Sequence, residues 1–250
     1  FNYFKVFEKQ TKWEWGYNFQ VNERKEFDVR RGGRTEIPAI DLQLKTHTLI
    51  GSLSGINYKN WSFELGLNGL VQDNFSDPKT GIKRLIPDYF KYEAGLYILG
   101  ILKRNNYFIW EWGFRVDQIF IDAKKYYDVP VWNERNYSTL FSDFEMQNIG
   151  NQILTNPKLN YLNYSAQTGI SSKIGEAFQI NASYILSQRA PNTSELFSDG
   201  LHHSIAAIEY GSLSLKKKLI IRYSLVFQKK QENLFGILNL LFLSLSIIFT

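Results

Sequence analysis

Residues 13–21 read W-E-W-G-Y-N-F-Q-V: Trp13, Trp15, Tyr17, Phe19 and Val21 alternate with Glu14, Gly16, Asn18 and Gln20. Side chains of an extended chain point alternately to opposite faces, so this stretch is a strand with one aromatic face and one polar face. The same period recurs. Trp61, Phe63, Leu65, Leu67 and Val71 are backed by Ser62, Glu64, Gly66 and Asn68; Phe108, Trp110, Trp112, Phe114 and Val116 are backed by Glu111, Gly113, Arg115 and Asp117. Residues 162–174 and 178–186 alternate likewise. A soluble sandwich turns aliphatic side chains inward and charges outward. Here the apolar face is large and aromatic, while the polar face mixes Gly, Asn, Ser, Gln and charge. That division suits lipid on one side and a hydrated lumen on the other.

Ten strands follow, near 1–7, 13–22, 41–53, 61–72, 89–102, 107–121, 161–174, 178–187, 218–228 and 234–248. Their links alternate in length. Short ones fall at 8–12, 55–60, 103–106, 173–177 and 229–232, and long ones at 22–40, 72–88, 122–160 and 187–217. In an up-and-down barrel every short turn then lies at one rim and every long loop at the other, as in bacterial outer-membrane barrels. The expected fold is therefore all-β, an antiparallel transmembrane β-barrel in part. The last segment, 234–248, is nearly all apolar and reads as a poorly patterned strand, a short hydrophobic helix or the product of a shifted reading frame.

Composition agrees with this and closes other routes. Aromatic residues make up 16% of the chain, as the interfacial girdles of such barrels require. There is no Cys, which excludes disulfides and Cys-based metal sites. The net charge of +5 raises nucleic acid as a partner, and Arg30, Arg31, Gly32, Gly33 and Arg34 resemble an RGG box. They lie between two strands and read as a solvated loop, so no nucleic-acid partner is expected.

Residues 187–215, SQRAPNTSELFSDGLHHSIAAIEYGSLSL, resemble the late-barrel signature of TonB-dependent outer-membrane receptors of Bacteroidetes type. The matching positions are Arg189, Ala190, Pro191, Glu195, Leu196, Phe197, Gly200, His202, Glu209 and Gly211, in an external loop. Residues 28–46, 70–89 and 149–161 also resemble this family, and the likeness spans about 13–215. Beyond Lys218 the sequence departs from the pattern, so 1–250 reads as one partial barrel domain with an atypical tail at 219–250.

The resemblance implies a receptor whose barrel has 22 strands, of which about ten are present here, with a plug domain that this chain does not show. It implies TonB-energised uptake across the bacterial outer membrane through the TonB–ExbB–ExbD complex, which acts on the plug. The ligand would be scarce: an iron chelate, haem, cobalamin or metal ion before a glycan. Partners would be that ligand, outer-membrane lipid and lipopolysaccharide; no cofactor is implied. A passive porin-like barrel and a soluble sugar-binding β protein are the alternatives. The second would place Trp61, Trp110 and Trp112 in a watery groove or a core.

No catalytic residue is expected: Glu111, Arg115 and Asp117 share a face but read as a polar network, and no hydrolase or phosphate-binding motif occurs. The candidates for ligand contact are Tyr126, Tyr127, Trp132 and Tyr137 in the 122–160 link, with His202 and His203. Aromatic rings with polar tips suit chelates, haem or sugars. Adjacent histidines on an extended chain point apart, so no metal site is assigned to them. His47 is expected to face the lumen.

Overall fold

A computed structural model describes residues 1–7, 11–81, 83–105, 107–175, 177–202, 207–230 and 237–249. Ten long strands form one antiparallel meander: β1 (Asn2–Val6), β2 (Lys12–Glu26), β3 (Ile40–Tyr58), β4 (Trp61–Ser76), β5 (Asp88–Asn105), β6 (Phe108–Asp128), and then, beyond the hairpin β7 (Glu145–Ile149) and β8 (Gln152–Thr155), β9 (Lys158–Ile174) and β10 (Phe178–Arg189). A second small hairpin, β11 (Asp199–His202) and β12 (Ala207–Tyr210), precedes β13 (Lys218–Lys230) and β14 (Ile237–Phe249). The ten-strand meander with alternating short and long links is the one expected. The sheet is open: among the described residues β1 and β14 each pair with one neighbour only.

Several strands run further than the alternation suggested. β3 continues through a bulge at Leu53/Ile56, with Gly55 in the left-handed region at φ 72°, to a two-residue turn at Lys59 and Asn60. β2, β4 and β6 rise to Glu26, Ser76 and Asp128. A membrane crossing needs only about 9–11 residues. The 21 residues of β6 therefore carry the wall well past an apolar layer. The apolar segment 237–249 is a strand, paired with β13 in regular register except for a bulge at Phe227/Gln228.

The two faces of the wall differ. On the outer face, the ladder aligns Leu53, Leu65, Ile98, Phe114 and Ala166 in one row. Near the short turns this face carries rings: Trp61 lies 5.4 Å from Trp110 and 5.7 Å from Phe63, and Trp13 5.8 Å from Trp15. Toward the loops a second ring group gathers, with Tyr92 5.1 Å from Phe120 and 5.3 Å from Phe90. Between them stand Leu65, Leu67, Leu96, Ile98 and Val116. From Trp112 to Phe120 is eight residues, or about 26 Å of strand at about 3.3 Å per residue. Two aromatic groups thus flank an aliphatic band of that height. His47 corrects the sequence reading. It pairs with Phe19 and Val71 on this outer face, and Tyr17 Oη lies 2.7 Å from its Nδ1. The apolar Leu42, Leu44 and Ile50, which set the expectation, lie on the opposite face.

The inner face changes character along its height. Its lower part is polar. Arg115 bonds Asp117 at 2.6 and 2.7 Å and Asn68 at 2.6 Å, and Tyr97 donates to Glu64 at 2.7 Å. Gly95 makes room for the Arg115 group, since a Cβ there would meet Asp117 and Asn68. Glu111 stands apart from this network, against Gly169. Higher on β6 the same face carries Ile119, Ile121, Ala123 and Tyr127, all buried, because the long loops fold inward over it.

Candidate functional site

The 129–157 and 190–217 loops meet over the upper inner wall. After β6 the chain forms α1 (Val129–Glu134) and α2 (Tyr137–Leu140), and after β10 it forms α3 (Thr193–Phe197). Pro130 sits in the first turn of α1, where its missing N–H costs nothing. Asn192 caps α3 through a reciprocal pair: its Oδ1 accepts from Glu195 N at 2.7 Å, and Glu195 Oε2 accepts from Asn192 N at 2.9 Å.

Most of the signature residues lie in or beside α3, while Gly200, His202 and Glu209 lie in the β11–β12 hairpin. Arg189 clamps Glu195 with two bonds of 3.0 and 2.8 Å, and Lys218 at the start of β13 adds a third at 2.9 Å. These groups outweigh the burial that opposes ionisation, and with Arg189 foremost they pull the Glu195 carboxyl down to about 2. Leu196 and Phe197 are completely buried, and Ala190 and Pro191 are buried as well. Gly211 passes directly under α3: a Cβ would come within 2.6 Å of the Leu196 carbonyl carbon and the Phe197 nitrogen, so no side chain fits. Its N–H donates to Ser198 O at 2.6 Å, and Ser212 N donates to Glu195 O at 2.9 Å. Gly200, at φ 139°, faces Glu209 across the β11–β12 hairpin. His202 closes that hairpin by backbone pairing with Ala207; His203 lies outside the described residues.

The second loop locks onto the first. Tyr137 Oη lies 3.1 Å from Ser212 Oγ and accepts from Leu213 N at 3.0 Å, while Arg135 donates to Gly211 O at 3.0 Å. Trp132 donates to Glu145 at 2.6 Å. Its ring centroid is 5.0 Å from that of Tyr127 and 5.2 Å from that of Tyr137. Trp132, Tyr127 and Tyr137 are 0%, 2% and 2% exposed, so these three ligand candidates present almost no surface, whereas Tyr126 is exposed on the outer side of β6.

Beneath α3 lies a charged group that sequence patterning missed. The Lys125 ammonium, buried on the inner face, donates to Phe197 O at 2.6 Å and pairs with Asp199 at 3.3 Å. Asp199 also pairs with Lys83 of the 77–87 loop at 3.0 Å, and Lys83 reaches Asp128 at 3.1 Å. Burial alone would lower the Lys83 ammonium, but its bonds to Asp199 and Asp128 outweigh that and hold it above its ordinary value. Asp199 thus ties the 190–217 loop to the 77–87 loop and to β6. Among the described residues no group of His, Asp and Glu could hold a metal ion, and no helix is long and apolar enough to cross a membrane.

An open antiparallel wall with short turns at one rim and packed loops at the other is a partial barrel-like fold. Solved transporter and receptor proteins share this architecture. The copper transporter OprC superposes with a TM-score of 0.57 at 12% identity, covering 89% of this chain and 33% of that one. The hemophore receptor HasR of Serratia marcescens, a double mutant in complex with its hemophore HasA and heme, gives 0.53 at 13%, covering 94% and 42%. The FrpB iron transporter of Neisseria meningitidis in its apoprotein form gives 0.55 at 10%, covering 88% and 32%. The chain thus spans between a third and two fifths of these proteins. At such identities the likeness is one of fold. No protein-family model and no curated protein matches the sequence.

Proposed function

We propose that this chain is a stretch of the barrel wall of a TonB-dependent receptor in the bacterial outer membrane, working in active uptake of a scarce ligand. The observation that carries the reading is the coincidence of two independent features. The meander superposes on three transporter and receptor proteins, and Arg189, Glu195, Leu196, Phe197 and Gly211 of the stretch that resembles the receptor signature meet in one structural knot, α3 over Gly211. The three matched proteins are named for copper, for heme with its hemophore, and for iron. That favours a metal ion, haem or iron chelate over a glycan. Energy would come from the TonB–ExbB–ExbD complex acting on a plug domain. The chain itself supplies wall and loops and performs no catalysis. Trp61 and Trp110 stand on the outer apolar face, which favours this reading over a soluble sugar-binding module.

Tyr127, Trp132 and Tyr137 act in this proposal by holding the loop platform, leaving Tyr126, His202 and His203 as ligand-contact candidates. The test is growth of a strain lacking the complete protein on iron chelates, haem, copper or glycans as limiting sources, with and without TonB. Loss of growth on one metal source, restored by the protein only when TonB is present, is expected. TonB-independent uptake of many small solutes would instead establish a passive pore.

A further inference from the structure

Four cations are bound into the loop platform through carboxylates: Lys83 and Lys125 meet Asp199, and Arg189 and Lys218 meet Glu195. Arg135, at the end of α1, is bound into it through neutral groups. It donates to Gly211 O at 3.0 Å, and its guanidinium carbon lies 6.0 Å from the Tyr137 ring centroid and 5.8 Å from that of Tyr210. No carboxylate among the described residues bonds it. The charge is therefore oriented but not cancelled. The side chain is half-buried, and the carbonyl occupies one N–H of a fork whose remaining donors match a carboxylate.

Beside this fork lies an exposed apolar pair on a firm mount. Tyr210 and Ile208 are 68% and 63% exposed. They stand two apart on β12, hence on one side and about 7 Å apart at about 3.3 Å per residue. Asp199, opposite Tyr210 on the ladder, is buried and paired with Lys83 and Lys125. Gly211, the next residue, is held under α3 by its bond to Ser198 O. A ligand landing here has little backbone to order. The Tyr210 face and the oriented fork suit a flat unsaturated ring with an acid at its edge. The span from Ile208 to Tyr210 is wider than a single six-membered ring and suits a macrocycle. A bare metal cation would meet the Arg135 charge instead.

We propose that Arg135, Tyr210 and Ile208 form a contact site for a porphyrin-type macrocycle, its edge carboxylate on Arg135 and its ring on Tyr210 and Ile208. This rests on the receptor reading above and narrows it to one ligand class. Recognition runs through ring and carboxylate, so it does not depend on a metal in the ring.

The test uses the complete protein in non-ionic micelles, titrated with hemin and with metal-free protoporphyrin and read by absorbance against empty micelles. Both should bind with similar affinity. Arg135→Ala should bind each about thirtyfold more weakly, the loss of one charged hydrogen-bonded contact. Protoporphyrin dimethyl ester, which lacks the acid, should bind the parent as weakly and should not distinguish the parent from Arg135→Ala. Tyr210→Ala removes an exposed ring and should weaken binding about tenfold. Arg34→Ala, which removes an exposed cation of the 27–39 loop, should bind as the parent does. An ester that binds as well as the acid, or an equal loss in Arg34→Ala, would overturn the proposal. So would hemin binding without protoporphyrin binding, which would make the metal the recognised group. Failure of both porphyrins to bind, in a protein that still takes up another source with TonB, defeats this site alone. Porphyrin binding as expected with uptake that ignores TonB defeats the receptor reading and leaves the site.

Discussion

The lower and upper halves of the inner wall are built on the same strands and the same alternation, yet they do opposite things. On β6 the lower half presents Glu111, Gly113, Arg115 and Asp117, open and polar; the upper half presents Ile119, Ile121, Ala123, Lys125 and Tyr127, closed under α1, α2 and α3. In the lower half a glycine at each crowded point lets long polar side chains meet across the sheet. In the upper half the loops supply apolar partners, and a buried lysine is satisfied by a carbonyl and a shared carboxylate. The contrast shows that two loops folded on one face of the wall suffice to bury a core locally.

Substitutions can break that contrast, and the largest effect is expected at its centre. Trp132→Ala empties the middle of the loop core and should cost about 3–5 kcal/mol of loop stability. Limited proteolysis should then cut the 129–157 and 190–217 loops while the strands remain protected. Asp199→Ala leaves Lys125 buried beside a single carbonyl and should cost about 3 kcal/mol, whereas Lys125→Met, which removes the charge, should cost less. Hydrogen exchange of the α3 amides separates the two; equal effects would mean that the pair is not the source of the stability. Gly211→Ala forces a Cβ against the α3 backbone and should loosen it by about 1–3 kcal/mol, seen as faster exchange at Leu196 and Phe197.

Acid sharpens the comparison further. The Glu195 carboxyl is depressed in the folded loop, to about 2, from an ordinary value near 4.5. Its contribution is therefore complete above about pH 4.5 and disappears as pH falls toward 2. Loop exchange should quicken across that window, and Glu195→Gln should flatten this pH response. The smallest effect is expected in the lower half, where Arg115→Ala removes a partly exposed pair worth about 1 kcal/mol or less and should leave the loop platform untouched. If Arg115→Ala loosened α3, the two halves would be one cooperative unit.

Much of this was legible in the sequence. The sequence placed ten strands, of which the apolar last one carried no clear alternation and is a strand only by its pairing with β13, and the alternation of link lengths placed the loops at one rim. The residues of the Arg189–Gly211 stretch were singled out as a group. The inward fold of the loops was harder to see. One signal was present: at Ile119–Phe120–Ile121 both faces become apolar, as a strand covered on both sides requires. His47 was assigned to the wrong face because the apolar neighbours that set its face, Leu42 and Leu44, belong to the buried upper core.

The sequence by itself determined the two-faced strands, their order along the meander and the rim at which each loop lies, because side-chain direction alternates locally and needs no distant partner. Only the tertiary structure decided what the loops do. Lys125 meets the Phe197 carbonyl across 72 residues, Tyr137 meets Ser212 across 75, and Gly211 is needed only because the α3 backbone lies on it. Those constraints arise from close packing between segments far apart in the chain, and no local period records them.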